Sequence, residues 1–467
     1  MSLQNTHFGP VKIGEMLEGC RTLFFIGIGG INMSSLAELA LARGFAVSGS
    51  DRTRTALTDE LTRAGIKVYY THSARHLMGV DAVIYTNAIV EDNPEYTAAV
   101  KRGLPCISRA DFMGYLMRGF TKRIGVAGMH GKSTCTSMLS EIFLDGKTDP
   151  TILCGARLRR TGSAYRIGKA RKYCLFEACE YMDSFLDFCP NIAVILNIEE
   201  EHMDYFSSIE QIRVSFGKYA ALVGARGHVV ANADDANVRM ALEGCRAAVT
   251  TFAVNTRRAD FTAINLHTEE GKPCFDIMRG GDFFCHVSLG VPGRHNVYNA
   301  LAATAAASLC GISPEVIAAA LGGFMGASRR MEYKGKFCGA DVYDDYGHHP
   351  TEVRATLEGA SKMGYDRVFC VFQPHTYSRL ASLYPEFLTA FDDADRVVIA
   401  ETYAAREVNT YDVTAETLAR DLGQKAEYFD SFPAIADFLR QNVFPGDLVV
   451  VMGAGDIYKL FAEMGLV

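Results

Sequence analysis

Residues 123–134 read Arg123-Ile-Gly-Val-Ala-Gly128-Met129-His130-Gly131-Lys132-Ser133-Thr134. A short apolar run (123–127) meets a glycine-bounded turn, and helical spacing follows over 132–143. That order is strand, turn, helix. The spacing is GxxGKST; the longer GxxxxGKS pattern is not met, because Val126 occupies its first glycine position. Backbone N–H groups of such a loop, and of the helix it opens, point at phosphate oxygens. Lys132 adds a point charge for the outer phosphates, and the Ser133 hydroxyl suits Mg²⁺. One strand–turn–helix unit of this kind predicts a parallel α/β sheet around it.

The same order recurs upstream. Residues 23–28 form an apolar run ending in Gly27-Ile28-Gly29-Gly30-Ile31-Asn32, and 33–43 have helical spacing. Further strand candidates lie at 45–47, 68–70 and 82–85. Asp51 follows the first glycine loop by roughly the 20 residues of a dinucleotide fingerprint. Asn32 stands where that fingerprint has its third glycine. The loop points to a nucleotide or diphosphate and does not separate NAD from a UDP-sugar; a tight βα turn without a ligand is the plain alternative.

Downstream, 192–196 is another buried strand, and 261–289 reads as hairpins turning at Gly271 and Gly280-Gly281. Residues 296–309 and 314–321 suit helices. A third strand series comprises 340–343, 367–372, 396–400 and 448–452. Carboxyl ends of parallel strands carry sites in open sheets. Glu177 and His202 sit at two such ends and are candidate metal ligands, although Mg²⁺ prefers oxygen and a polar surface role reads equally well.

Composition agrees with a globular chain. The 467 residues suggest roughly three domains, and 49% are hydrophobic and 22% charged. Lys plus Arg is 47 against 54 Asp plus Glu, a net charge of −7, which gives no electrostatic case for a nucleic-acid polymer or a membrane surface. Thirteen scattered Cys without a CxxC pair point to a reducing compartment. No leader-like start and no apolar stretch of ~18 residues is expected, so the expected location is cytoplasmic.

Together these residues resemble the Mur ligase family. The likeness runs from Phe25 to about Asp456. Its stations are the Gly27–Ser34 loop with Ser48–Asp51, the Gly128–Thr134 loop, Glu177–Phe185, residues 197–204 ending at Asp204, Gly293–Asn299, Arg329-Arg330, Asp344–Glu352, Phe372–Arg379 and Met452–Asp456. Asp344-Asp-Tyr-Gly-His-His-Pro-Thr-Glu352 is the most specific of them. Met129 and Ser133 stand where the family usually has Thr, and Cys179 where many members have Asp.

The resemblance implies three α/β domains: a Rossmann-like N-terminal domain (1–119) for the UDP substrate, a central P-loop ATPase-like domain (120–327) for ATP, and a Rossmann-like C-terminal domain (328–467) for the amino acid. It implies amide formation through an acyl phosphate, joining L-alanine to the lactyl carboxylate of UDP-N-acetylmuramate in peptidoglycan precursor synthesis. ATP and Mg²⁺, two ions, would be the cofactors, and the protein a monomer or homodimer. Gly27, Gly29, Gly30, Asn32, Met33, Ser50 and Asp51 would bind the UDP substrate. Gly128, His130, Gly131, Lys132, Ser133, Thr134, His295, Asn296, Arg330 and Asp345 would bind ATP, with Ser133, Glu177 and His202 on the metal. Tyr346, His348, His375 and Arg379 would hold the amino acid, and Lys132, His202, His348 and Arg379 would carry catalysis. A related ligase adding a preformed peptide is one alternative. A nucleotide-dependent oxidoreductase, or a non-catalytic nucleotide-binding protein, are others.

Overall fold

The strand Thr22–Ile26 is apolar throughout after its first residue, and Leu23, Phe24, Phe25 and Ile26 are all completely buried. A strand buried on both faces belongs inside a parallel sheet. Its neighbours in the computed structural model, which describes residues 3–203, 205–269, 271–405 and 407–466, bear this out. Asp204 lies outside the described residues. The sheet order is Lys67–Tyr69, Ala46–Ser50, Thr22–Ile26, Ala82–Tyr85, Cys106–Ser108, parallel throughout. Strand order reverses beside Thr22–Ile26, the position at which open sheets of this kind form a ligand crevice. The strand ends at Ile26, short of the expected residue 28, because Gly27 turns the chain with φ 81°.

The glycine loop at 128–131 leaves the centre of a second sheet. Seven of its ten strands run in the order Ala248–Ala253, His228–Asn232, Ile192–Ile195, Lys122–Ala127, Tyr173–Glu177, Thr151–Leu158, Ser163–Arg166. All neighbours are parallel except the last pair. The helix Lys132–Asp145 runs on from the loop. Strands Thr151–Leu158 and Ser163–Arg166 escape a sequence reading because their polar residues break the apolar runs.

A third sheet has the order Glu332–Phe337, Ala340–Asp345, Asp447–Met452, Arg367–Phe372, Arg396–Ala400, Ala426–Phe429. Only the first pair is antiparallel. Phe261–Glu269, Lys272–Arg279 and Asp282–Ser288 form the expected hairpins. The two helices expected after the hairpins are His295–Ser308 and Pro314–Gly323. The α/β architecture with three sheets is therefore as the sequence implies.

By contact density the chain divides into two compact units. One comprises Met1–Thr262, Met278–Asp282 and Asn299–Ile317; the other comprises Ala263–Ile277, Phe283–Tyr298 and Ala318–Val467. All thirteen cysteines are free thiols. Among the described residues no helix is long and apolar enough to cross a membrane.

One buried charge ties the chain's start into the first unit. Asp111, on the helix Arg109–Met117, is fully buried. Its carboxylate accepts from Thr6 Oγ1 (2.6 Å), Phe8 N (2.7 Å) and Gly9 N (3.1 Å). Asp111→Ala strands three donors and is expected to destabilise the unit by about 3 kcal/mol. A denaturant melt of the variant checks this, and an unchanged midpoint would refute the anchoring role.

Candidate active site

Two helices begin at glycine loops, and neither has a side-chain cap: Ile31–Ala42 behind Gly30 and Lys132–Asp145 behind Gly131. Five other helices of the same unit are capped, by Thr55, Asn93, Ser108, Ser208 and Asp235, whereas Gly9–Met16, with a proline in its first turn, is not. A helix start without a side-chain cap keeps its N–H groups and dipole available to an anion.

In the first loop, Gly27 N and Ile28 N both donate to the Ser50 carbonyl. Gly29 N donates to Asp51 Oδ2 (2.9 Å), and a Cβ on Gly29 would lie 2.8 Å from that oxygen. Asp51 thus braces the loop as well as flanking it. Asn32 is exposed in the first helical turn, while Met33 is buried. Ser50 is fully buried and turns inward, donating to Glu95 Oε2 at 2.6 Å. Glu95, also fully buried, meets His72 Nδ1 and His76 Nδ1, each at 2.8 Å. This network under the loop is invisible in the sequence, since its members are spread from residue 50 to residue 95.

In the second loop, Gly131 has φ 82°, and a Cβ there would lie 2.6 Å from Asn299 Oδ1. Only glycine suits both constraints. Asn197 brackets the peptide of His130: His130 N donates to Asn197 Oδ1 (2.8 Å), and Asn197 Nδ2 donates to the His130 carbonyl (3.0 Å). Met129 points away, into the apolar core. Its replacement of a family threonine therefore leaves a loop shaped by backbone. Ser133 and Thr134 are buried in the first helical turn.

Lys132 Nζ donates to the Gly128 carbonyl (2.6 Å), the Met129 carbonyl (3.1 Å) and both Glu180 oxygens (3.1 and 3.0 Å). Burial would pull the ammonium's pKa down, but Glu180 outweighs it and holds Lys132 above the ordinary lysine value. Burial likewise works against the Glu180 carboxylate, yet Lys132 and His202 keep it below its ordinary value. His202 Nε2 stands 3.2 Å from Glu180 Oε1, its ring against Tyr181. Glu177, paired beside Val126, accepts from Gly155 N and from the Cys154 thiol. Lys132 and His202 thus meet through Glu180, and Glu177 lies within electrostatic reach of Lys132. Glu180 is the residue that sequence reasoning underrated. Its signal was a second carboxylate three residues beyond a strand end.

The second unit gathers its residues at the carboxyl ends of Ala340–Asp345, Asp447–Met452 and Arg367–Phe372, three adjacent parallel strands. The Tyr346 ring has Arg329 at 5.0 Å and Arg330 at 5.1 Å. His348 meets Tyr346 and His375 edge-on, each at 5.6 Å. Arg379 Nη1 donates to His375 Nδ1 (2.9 Å), and Tyr403 stacks on the other side of His375. Tyr346, His348, His375 and Arg379 are therefore one contiguous group. Asp345 accepts from Met331 N (2.9 Å) and Gly347 N (2.8 Å), tying the segment after Arg330 to the turn that carries Tyr346. Burial pushes the carboxyl of Asp344 up to about 6 against the pull of Arg329, and that of Asp345 upward against Arg330. Arg329 stands out in the sequence only beside Arg330 and without a role, and Tyr403 is a contact the sequence does not single out. His295 and Asn296 open the helix His295–Ser308, and Asn296 Nδ2 donates to the Pro292 carbonyl. His295 lines a cavity of about 200 Å³ together with Gly293, Arg294, Glu358 and Lys362.

Comparison with known proteins sets these groups in a family. Residues 22–121 match the Mur ligase family catalytic domain, 126–307 the Mur ligase middle domain, and 329–455 the Mur ligase glutamate ligase domain. The UDP-N-acetylmuramate–L-alanine ligase of Acetivibrio thermocellus is 44% identical over 440 residues, 93% of this chain and 94% of that one. Among solved structures, the UDP-N-acetylmuramate–alanine ligase of Thermotoga maritima superposes with a TM-score of 0.80 at 27% identity, covering 95% of this chain and 98% of that one. A murein peptide ligase from Psychrobacter arcticus gives 0.73 at 25%, covering 95% and 99%. With three matched domains in order and a relative this similar along nearly its whole length, the chain belongs to the Mur ligase family.

Proposed function

We propose that this chain is an ATP-dependent, ADP-forming ligase that joins L-alanine to the lactyl carboxylate of UDP-N-acetylmuramate, in peptidoglycan precursor synthesis. The reading rests on its 44% identity to an alanine-adding ligase over 93% of the chain. The uncapped helix behind Gly131, with Lys132 buried at its start, is the local chemistry that fits it. Residues 1–119 would hold the UDP substrate, 120–327 ATP and 328–467 the amino acid. The proposed location is the cytoplasm, which suits these substrates, and the proposed assembly is a monomer or homodimer.

A carboxylate does not condense with an amine in water, so it must first be activated. A lactyl carboxylate oxygen attacks the γ-phosphate in line; an acyl phosphate forms and ADP departs. Two anions approach each other, and positioning with electrostatic stabilisation supplies most of the catalysis. Lys132 and the N–H groups at 131–134 would face the phosphates. Glu180 holds the Lys132 ammonium charged and aimed until ATP competes for it.

The donors around the loop suit a hard divalent cation: a hydroxyl on Ser133 and a carboxylate on Glu177, with His202 as the one nitrogen. When bound, Mg²⁺ would neutralise phosphate charge there, and a pair of ions fits the family reading. The amino acid's amine then attacks the acyl carbon and phosphate leaves. In this reading His348 would take the amine's proton. Its Nδ1 lies 3.1 Å from the Tyr346 carbonyl, which only accepts, so Nδ1 carries hydrogen and the lone pair of the neutral ring is on Nε2. In His375 the Nδ1 lone pair is already engaged by Arg379. Arg329, Arg330 and Arg379 supply positive charge for the amino acid's carboxylate.

Phosphate release from ATP is expected only when UDP-N-acetylmuramate and L-alanine are both present. Release driven better by L-alanyl-γ-D-glutamyl-diaminopimelate in a competition assay would identify a peptide-adding ligase instead. Lys132→Ala is expected to lower kcat by about 10³-fold. A rate within a few-fold of the parent would remove Lys132 from the phosphate site.

A further inference from the structure

One face of the hairpin between Phe261–Glu269 and Lys272–Arg279 carries donors that none of the roles above uses. His267 and Glu269 are two residues apart on one strand and so project to the same side. Cys274 comes from the next strand. An imidazole nitrogen, a carboxylate oxygen and the thiol sulfur of these three all lie within 4.8 Å of one another. Cys274 is only 2% exposed, whereas His267 and Glu269 are exposed. The cluster therefore has a closed floor and an open mouth.

The hydrogen bonds set the protons. His267 Nδ1 lies 2.8 Å from the Asn265 carbonyl oxygen, which only accepts, so Nδ1 carries a hydrogen. Nε2 then faces Glu269 Oε1 at 3.0 Å. In a neutral ring that is a lone pair aimed at a carboxylate, an arrangement that needs a proton or a cation between the two. A backbone carbonyl on the far ring nitrogen is also how metal-binding histidines are oriented. The Cys274 thiol lies within 4.8 Å of the same carboxylate. Asp276, held by Asn265 Nδ2 and His286 Nδ1 at 2.7 Å each, adds negative charge beside it.

We propose that His267, Glu269 and Cys274 form a binding site for a divalent transition metal, best suited to Zn²⁺, with water as the fourth ligand. Mg²⁺ and Ca²⁺ select oxygen ligands, while a thiolate with an imidazole and one carboxylate selects zinc-like ions. Thiolate and carboxylate together balance the 2+ charge. Tetrahedral donors sit roughly 3.5 Å apart. The exposed Glu269 side chain can swing inward to close the gap. Binding releases the thiol proton and the proton shared by His267 and Glu269 to solvent, and no electron is transferred. The ion clips the two strands of the hairpin together.

Titration of Co²⁺ into the purified full-length protein tests the site, because thiolate ligation gives a sulfur-to-cobalt charge-transfer band in the near ultraviolet. One saturable equivalent with that band is expected, displaced by Zn²⁺ and unaffected by millimolar Mg²⁺. Cys274→Ser should abolish the band, although twelve other thiols remain in the chain. His267→Ala, an exposed change that spares the fold, should weaken binding by more than about 10-fold. Zn²⁺ should raise Tm in the parent protein and leave that of His267→Ala unchanged. No saturable band, or an equal band in Cys274→Ser, overturns the assignment.

Discussion

A helix start that is left without a side-chain cap, at the carboxyl end of a buried parallel strand, governs this molecule. It occurs at Gly30 and again at Gly131. Each keeps its first N–H groups available only because the surroundings supply rigidity that a cap would otherwise give. At Gly131 the left-handed backbone and the closeness of Asn299 exclude a side chain, and Asn197 clamps the next peptide upstream. At Gly29 the brace is Asp51. The sheets, helices and long loops around these two points hold the N–H groups still.

Buried carboxylates do much of that holding. Glu95 gathers Ser50, His72 and His76 beneath the first loop, and Asp111 fastens the chain's start. Glu180 joins Lys132 to His202, and Asp345 ties the backbone at Met331 to that at Gly347. A buried charge is costly unless its lone pairs are filled, and each of these is filled by several donors. The result is specificity of position: a loop tied by several bonds to one carboxylate has few alternative conformations.

The group at the carboxyl ends of the third sheet's strands follows a different design. Arginines and aromatic rings alternate there, with Tyr346 between Arg329 and Arg330 and His375 between Arg379 and Tyr403. Stacked rings help to orient the guanidinium groups, and carboxylates add to this at two of them: Arg329 pairs with Asp344 at 3.3 Å and Arg330 with Glu352 at 3.7 Å.

Both glycine loops, the three strand series and the ordered stations of the Mur ligases were legible in sequence, because short apolar runs and glycine turns are local signals. Helix 132–143 and the hairpins after residue 261 were equally readable from local spacing. Local signals end where side chains from distant segments meet. The pairing of Glu180 with Lys132 and His202, the inward turn of Ser50 toward Glu95 and the burial of Met129 all depend on which strands are neighbours. So does the meeting of Cys274 with His267 across a hairpin. The sequence by itself determined the family, the α/β class and the two glycine loops, since those rest on the order and spacing of residues along the chain. Tertiary structure alone decided which charges face each other, because strand pairing and burial choose each charge's partner.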